Sequence, residues 1–289
     1  MHVNKVSLIG TSQGGREVEV ERLLQSLIGT NSFLEVVFVD QSNDDKISEI
    51  VKKYEKEVSF VLLKSLPISL SKARNIALKH CSGNIIGFCD DDAFYDLATL
   101  KYLHQYDIKK RAEILSSKVI DKKSNSSYAG RSFPNKEVIY NRRDILKYCL
   151  SVSTFIIAAD NSWIKENVHF DERLGVGAEL GGSEESELIL RLVSDDVTVK
   201  FIPFMIVYHD NDLTFDNSDI HDLAIKYYKY AVGYGAVIRR FYLQSRFLFT
   251  CELLIVSFRC IVGMFLDKKR KMYLYRLFGL WLGFLGKKL

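Results

Sequence analysis

The 289-residue chain has only three prolines, and its five cysteines offer no obvious pairing. Cys81, Cys89, Cys149, Cys251 and Cys260 are odd in number and form no CxxC motif. This argues against a disulfide framework or a zinc site, and a reducing cytosol is expected. With so little proline, 47% hydrophobic residues and 26% charged residues, the composition excludes a disordered protein. Internal repeats and low-complexity tracts are absent. The opening MHVNKVSLIG lacks the apolar core of a secretory signal and runs straight into a strand pattern.

Charge is unevenly spread. The net charge is +4, yet the stretch from Ser245 to Leu289 holds nine Lys or Arg against two acids, and the rest of the chain is mildly acidic. A basic, apolar tail on an acidic body predicts a membrane surface as partner, and no nucleic acid.

The first ninety residues alternate strand and helix. Val6–Ser12, Leu34–Val39, Val58–Leu63 and Asn84–Cys89 are apolar strands, with helices predicted after the first, around 46–56, and over 72–80, the last capped by Ser69 or Ser71. Continuous apolar strands separated by helices predict a parallel, Rossmann-like α/β sheet with helices on both faces. Further on, Ala112–Ile120 and Ser153–Ala159 are expected strands and 121–141 a loop. Glu184–Val193 is an expected amphipathic helix, and Val197–His209 one or two strands broken by Pro203.

Ligands of such sheets gather at the carboxyl ends of the strands. Thr11-Ser12, Asp40 and the triplet Asp90-Asp91-Asp92 all fall there. Three successive aspartates raise one another's pKa, and a divalent cation removes that cost while also bridging a diphosphate. A solvated acidic turn is the alternative. Asp40 fits either a hydrogen bond to a base or ribose, or an Asx-turn with Ser42 or Asn43. Arg74 fits either a phosphate contact or a surface position on a helix. His209 fits either a metal contact or a hydrogen-bonded structural role.

VSLIGTS, EVVFVDQSNDD, LSKARNIALKHCSGNIIGFCDDDAF and FDERLGVGAELGGSEESELILRL resemble, in order and spacing, the family 2 inverting glycosyltransferases of the GT-A fold. The likeness runs over roughly residues 3 to 210 and is nearest to bacterial members that build capsule, O-antigen or other surface polysaccharides. It implies donor contacts from Thr11, Asp40, Arg74, Asn75, Asp90 and Asp91, with Asp91 near the ribose. It implies a Mn²⁺ or Mg²⁺ ligand at Asp92, with His209 approaching the metal or the diphosphate. Glu185 matches the catalytic base, with Glu184 beside it and Arg191 downstream. Two departures stand out: the first motif reads Gly10-Thr11-Ser12-Gln13, without the usual proline and aromatic-Asn pair, and the base motif is Glu-Glu instead of Glu-Asp.

The resemblance implies residues 1–215 as a GT-A domain, with a nucleotide-sugar half (1–95) and an acceptor half (96–215). It also implies a nucleotide-sugar donor, with uridine diphosphate the expected carrier, and a glycan or polyprenyl-linked acceptor. Residues 216–289 are expected to be helical. Phe247–Leu266 could span a bilayer by length, but Glu252 and Arg259 make spanning costly, and with Tyr273–Leu285 it suits amphipathic helices lying in the interface. A soluble helical subdomain, an oligomer interface and a transmembrane hairpin are the alternatives. The expected location is cytoplasmic, peripheral on the inner face of the cell membrane.

Two other functions compete. A nucleotidyltransferase would share the sheet and the acids but normally carries a Gly-rich, Lys-containing phosphate loop, for which Gln13-Gly14-Gly15-Arg16 is a thin substitute. A catalytically inactive, membrane-associated sugar-binding protein is the non-enzymatic alternative.

Overall fold

The computed structural model describes residues 3–148, 155–194, 197–210, 220–267 and 269–286. Cys149, Ser153, Thr154, Lys268, Lys287, Lys288 and the expected boundary at 215/216 lie outside the described residues. The chain divides into two compact units. One comprises Met1–Ile68, Lys72–His169 and Arg191–Asn211, the other Ser69–Ser71, Phe170–Leu190 and Asp212–Leu289.

The first unit begins with β1 (Val6–Ser12), α1 (Glu17–Ser26), β2 (Leu34–Asp40), α2 (Lys46–Lys53), β3 (Ser59–Lys64), α3 (Leu70–Leu78, whose first two residues belong to the second unit) and β4 (Ile85–Cys89). It continues with β5 (Ala93–Tyr95), α4 (Leu97–His104), β6 (Ala112–Asp121), β7 (Ser126–Ser127), β8 (Val138–Tyr140), α5 (Arg142–Tyr148), β9 (Phe155–Ala159) and α6 (Asn161–Asn167). α7 (Glu184–Ser194) starts in the second unit, and β10 (Thr198–His209) completes the first.

β2 and β4 are buried at every residue, as expected of strands with no polar alternation. The central order is β3-β2-β1-β4-β9-β6-β10-β5, in a sheet flanked by helices. The first four strands are parallel, with Gly10 opposite Phe38 and Ser12 opposite Asp40. The sheet as a whole is mixed, not parallel throughout. β9 lies between β4 and β6 and runs antiparallel to both. Strand direction is set by partners, and an apolar run carries no signal of it.

Other local expectations shift. The stretch 121–141 contains β7, a 3₁₀ turn at Tyr128–Gly130 and β8, all too short to show a period. β10 is continuous, and its register with β6 slips between Phe201 and Ile206. That irregularity accommodates Pro203, whose nitrogen has no proton for the ladder. α3 opens at Leu70, so Ser71 lies inside it. Its hydroxyl donates to the Leu174 carbonyl at 2.6 Å.

The second unit contains α8 (Ile220–Phe241), α9 (Arg246–Leu266) and α10 (Arg270–Leu285). α8 and α10 approach closely because α10 has glycine at the crossing: a Cβ on Gly279 or Gly283 would collide with the carbonyl oxygens of Tyr228 or Val232.

One polar cluster ties three segments of the first unit together at the amino ends of its strands. Buried Glu35 of β2 accepts from the Ser7 hydroxyl of β1 at 2.6 Å and from the Ser82 amide at 2.7 Å, and pairs with Lys5 at 2.7 Å. Burial alone would raise the Glu35 pKa, but Lys5, Ser7 and Ser82 outweigh it and hold the carboxyl below its ordinary value. A carboxyl that titrates lower in the fold than in the unfolded chain stabilises above the ordinary carboxylate range and loses that contribution as pH falls through it. Glu35→Gln is therefore expected to lower the urea midpoint by the equivalent of about 1–3 kcal/mol at neutral pH. The difference from the parent should shrink as pH is lowered, read by denaturation at a series of pH values.

Candidate active site

The carboxyl ends of β1, β2 and β4 lie side by side, because those strands are parallel and in register. Ser12, Asp40 and the triplet after Cys89 are thereby gathered in one place.

Asp40 has a fully buried side chain. Its Oδ1 accepts from the Ser42 amide at 2.9 Å and the Ser42 hydroxyl at 2.6 Å, so the Asx-turn is formed. Its Oδ2 lies 2.8 Å from the Lys64 ammonium but has no aligned hydrogen-bond donor among the described residues. A buried carboxylate oxygen in that state can still accept from a ligand N–H.

Arg74 is buried, not a surface residue of α3, and its Nη2 donates to Asp90 Oδ1 at 3.1 Å. Asn75 follows it, half-buried. Asp91 Oδ2 accepts from the Ser12 hydroxyl at 3.1 Å. Thr11 is half-buried on β1 opposite Val39, and it is its neighbour Ser12 whose hydroxyl reaches the triplet.

Asp92 Oδ1 lies 3.2 Å from His209 Nε2, which is also 4.0 Å from Asp90 Oδ2. His209 arrives from β10, which pairs with β5 directly after the triplet and sets His209 opposite Ala93. Its other ring nitrogen is 2.9 Å from the Asp210 carbonyl, and its ring packs 4.2 Å from that of Tyr128. The imidazole is thus held with Nε2 toward the carboxylates. Burial, then repulsion from Asp92, pushes Asp91 up to about 6.

Two arginines pair with the triplet's carboxylates and a third fixes its backbone. Arg74 neutralises Asp90. Arg16, at the start of α1, places its guanidinium 4.0 Å from Asp91 and 3.9 Å from Asp92. Arg22, one helical turn and more along, donates to the Asp92 carbonyl and pairs with Asp210, each at 2.8 Å. Ser12 was expected at these strand ends beside Thr11, whereas Arg16 and Arg22 were not among the residues expected here. Arg16 stood out in sequence only as part of a weak phosphate loop, and an arginine on a mixed-charge helix such as α1 carries no mark of its partner.

Among the described residues, no three His, Cys, Asp or Glu side chains converge as a ready-made metal site. The donor set nevertheless fits Mn²⁺ or Mg²⁺. Asp92 and His209 already face each other, and such ions take one or two protein carboxylates and complete their shell with substrate phosphate and water.

The second acidic motif belongs to the second unit. Glu184 and Glu185 open α7, Glu184 buried and Glu185 half-buried. Ser183 before them adopts φ 68°, a left-handed conformation uncommon outside glycine. Gly175, at φ +103°, brings the preceding loop against the Glu184 carboxyl, where a Cβ would stand 3.3 Å from Oε2 and 2.7 Å from the Ser71 hydroxyl. Two residues on from Glu185, the fully buried Glu187 carboxylate pairs with Arg240 of α8 at 3.1 Å, and Arg240 also holds Asp171 at 3.0 Å. Arg191, farther along α7, donates to the carbonyls of Asn167 and His169 instead of facing a ligand.

A search of curated proteins by sequence finds no match. Among solved structures, S. aureus TarS 1-349 in complex with UDP is similar with a TM-score of 0.56 at 18% identity, covering 98% of this chain and 90% of that one. Mannosyltransferase PcManGT from Pyrobaculum calidifontis, in complex with GDP-Man and Mn²⁺, is similar with a TM-score of 0.62 at 12% identity, covering 100% and 89%. This chain spans 43% of the length of the longer S. aureus TarS structure. At such identities the likeness establishes the GT-A fold. The model of the family described as "Glycosyl transferase family 2" matches residues 15–168, more than half of the chain, and the protein belongs to that family.

Proposed function

We propose that this protein is an inverting glycosyltransferase that moves a sugar from a nucleoside-diphosphate donor, a UDP-sugar, to a glycan or polyprenyl-linked acceptor in bacterial surface-polysaccharide synthesis, capsule or O-antigen among them. It would work in the cytoplasm, peripheral on the inner face of the cell membrane. The observation that carries the donor reading is the meeting, at parallel strand ends, of buried Asp40 with the Asp90–Asp92 triplet and His209. Uridine is favoured by the similarity to S. aureus TarS 1-349, whose structures hold UDP and UDP-GlcNAc. The bacterial surface-glycan assignment rests on the family resemblance.

The roles carry over from the family resemblance and are compatible with the chemistry of each group. Asp40 would accept from a base N–H, and Asp91, held by Ser12, would accept from the ribose. Asn75, next to Arg74 on α3, and Thr11 on β1 would complete the donor contacts. Asp92 and His209 would hold Mn²⁺ or Mg²⁺, which when bound offsets negative charge on the departing diphosphate. Arg74 keeps Asp90 neutralised and the triplet in place. Glu185, the more accessible of the pair at the head of α7, would take the proton of the acceptor hydroxyl as that oxygen attacks the anomeric carbon. Glu184, packed under Gly175, would fix the turn that presents it. One base and no enzyme nucleophile give inversion.

A thermal-shift panel of nucleotide-sugars with Mn²⁺ or EDTA tests the donor assignment. A UDP-sugar with metal is expected to raise Tm, since ligand at about 100 times Kd adds about 2.7 kcal/mol. No shift with any nucleotide or nucleotide-sugar would remove the proposal's foundation.

Glu185→Gln is expected to lower kcat by about 10²–10⁴ while leaving that shift intact. Asp92→Asn is expected to abolish both turnover and the metal-dependent part of the shift. Near-parental turnover in either variant would take that residue out of the mechanism. Loss of turnover in Glu184→Gln with a normal Glu185→Gln would exchange the two roles.

A further inference from the structure

The second unit leaves an apolar surface uncovered. Phe247, Leu254, Phe258, Ile261 and Phe265 follow one another along α9 at intervals of seven, four, three and four, which places them on one side of the helix. They are between 41% and 84% exposed. The opposite side, with Phe249, Leu253, Val256 and Cys260, is buried. α10 repeats the pattern with Leu274, Phe278, Trp281 and Leu285, 37% to 62% exposed. Neither stripe contains a charged residue.

α9 is long and apolar enough to cross a membrane by length and composition, yet only 28% of its most apolar stretch is buried, so it is not the core helix of a soluble bundle. Nor is it free to span. Its inner face is packed, Glu252 accepts from the Tyr234 hydroxyl of α8 at 2.8 Å, and α10 at 16 residues reaches only about 24 Å, short of the hydrocarbon core of about 30 Å. An apolar stripe about 27 Å long on a helix held from behind suits insertion side-on.

Charge selects the occupant. Arg246, Arg259, Arg270 and Lys271 are exposed around these stripes, and residues 245–289 hold nine basic against two acidic side chains, while the remainder of the chain carries a net negative charge. An open groove of about 570 Å³ along α9 and the start of α10 sets Arg259 beside Phe258, Leu266 and Tyr273, with Asp267 at the same groove. Trp281 presents its ring at the exposed face and donates from Nε1 to the Ser257 hydroxyl at 3.1 Å, so its polar edge is satisfied from within the protein. A second copy of this chain would have to bring seven excess positive charges against seven more.

We infer that the outer faces of α9 and α10 form a docking surface for an anionic lipid bilayer, with the phenylalanine stripes inserted side-on at acyl depth and the arginines and lysines at the headgroups. The inference gives residues and geometry to the membrane part of the proposed function and rests on that part, not on the donor chemistry.

Sedimentation of the full chain with vesicles tests it. The parent is expected to pellet with phosphatidylcholine vesicles containing phosphatidylglycerol and far less with phosphatidylcholine alone, the difference shrinking as salt is raised. Phe258→Glu combined with Phe265→Glu changes exposed side chains only, and is expected to weaken vesicle binding by more than about tenfold. The same variant should keep the parent's Tm and its shift with nucleotide-sugar, so failure of docking is told apart from failure of donor binding. Arg270→Glu with Lys271→Glu should abolish the preference for anionic vesicles. Four outcomes overturn the inference: a parent that stays in solution with anionic vesicles, an undiminished double-Glu variant, a dimer in light scattering that this variant breaks, or parent protein in cell membranes that resists alkaline carbonate extraction, the mark of a spanning helix.

Discussion

Mutual repulsion among Asp90, Asp91 and Asp92 is the constraint around which the first unit is arranged. At an effective dielectric constant of 20, two like charges 4 Å apart cost about 4 kcal/mol, so three carboxylates at one strand end need cations within that distance. They come from well-separated parts of the chain, Arg74 from α3 and Arg16 from the head of α1, while His209 from the end of β10 sets a ring nitrogen 3.2 Å from Asp92. Each reaches the triplet only because the sheet has closed. What this leaves at Asp91, a pKa pushed up to about 6 by burial and by Asp92, marks repulsion and desolvation that a further cation would relieve.

The two ends of the parallel strands have different tasks. At the amino ends, Glu35 draws Ser7, Ser82 and Lys5 into one satisfied cluster, a polar knot that needs nothing from outside. At the carboxyl ends, the fully buried Asp40 is held by Ser42 through Oδ1 and by the Lys64 ammonium 2.8 Å from Oδ2. The same physics, a carboxylate taken out of water, draws hydroxyl, amide and ammonium partners at both ends of the strands. The second unit shows the corresponding contrast for apolar surface: glycines let α10 close against α8, while phenylalanines on the far side of α9 remain uncovered.

Much of this was legible in the chain itself. β1, β2 and β4 announce themselves as unbroken apolar runs, since a strand buried on both faces has no polar alternation to obscure it. Asp40 and the triplet could be located because each follows such a run directly. His209 was recognisable through family resemblance alone, because its approach to Asp92 depends on a pairing between β10 and β5 that spans more than a hundred residues. The direction of β9, the short β7 and β8, and the continuity of β10 through Pro203 were not legible, for those features are settled by neighbouring strands.

The sequence by itself determined which residues could carry chemistry: the acids after apolar strands, the Glu184-Glu185 pair opening an amphipathic helix, and a basic tail with one bilayer-length apolar stretch. Only the tertiary structure decided their states. It turned Arg74 inward to Asp90, chose Ser12 over Thr11 to hold Asp91, and supplied Arg16 and Arg22 as counter-charges. It also showed which half of α9 is packed and which is exposed. Composition specifies what each side chain can do, but charge compensation and burial arise between residues far apart in the chain, and those distances exist only once it has folded.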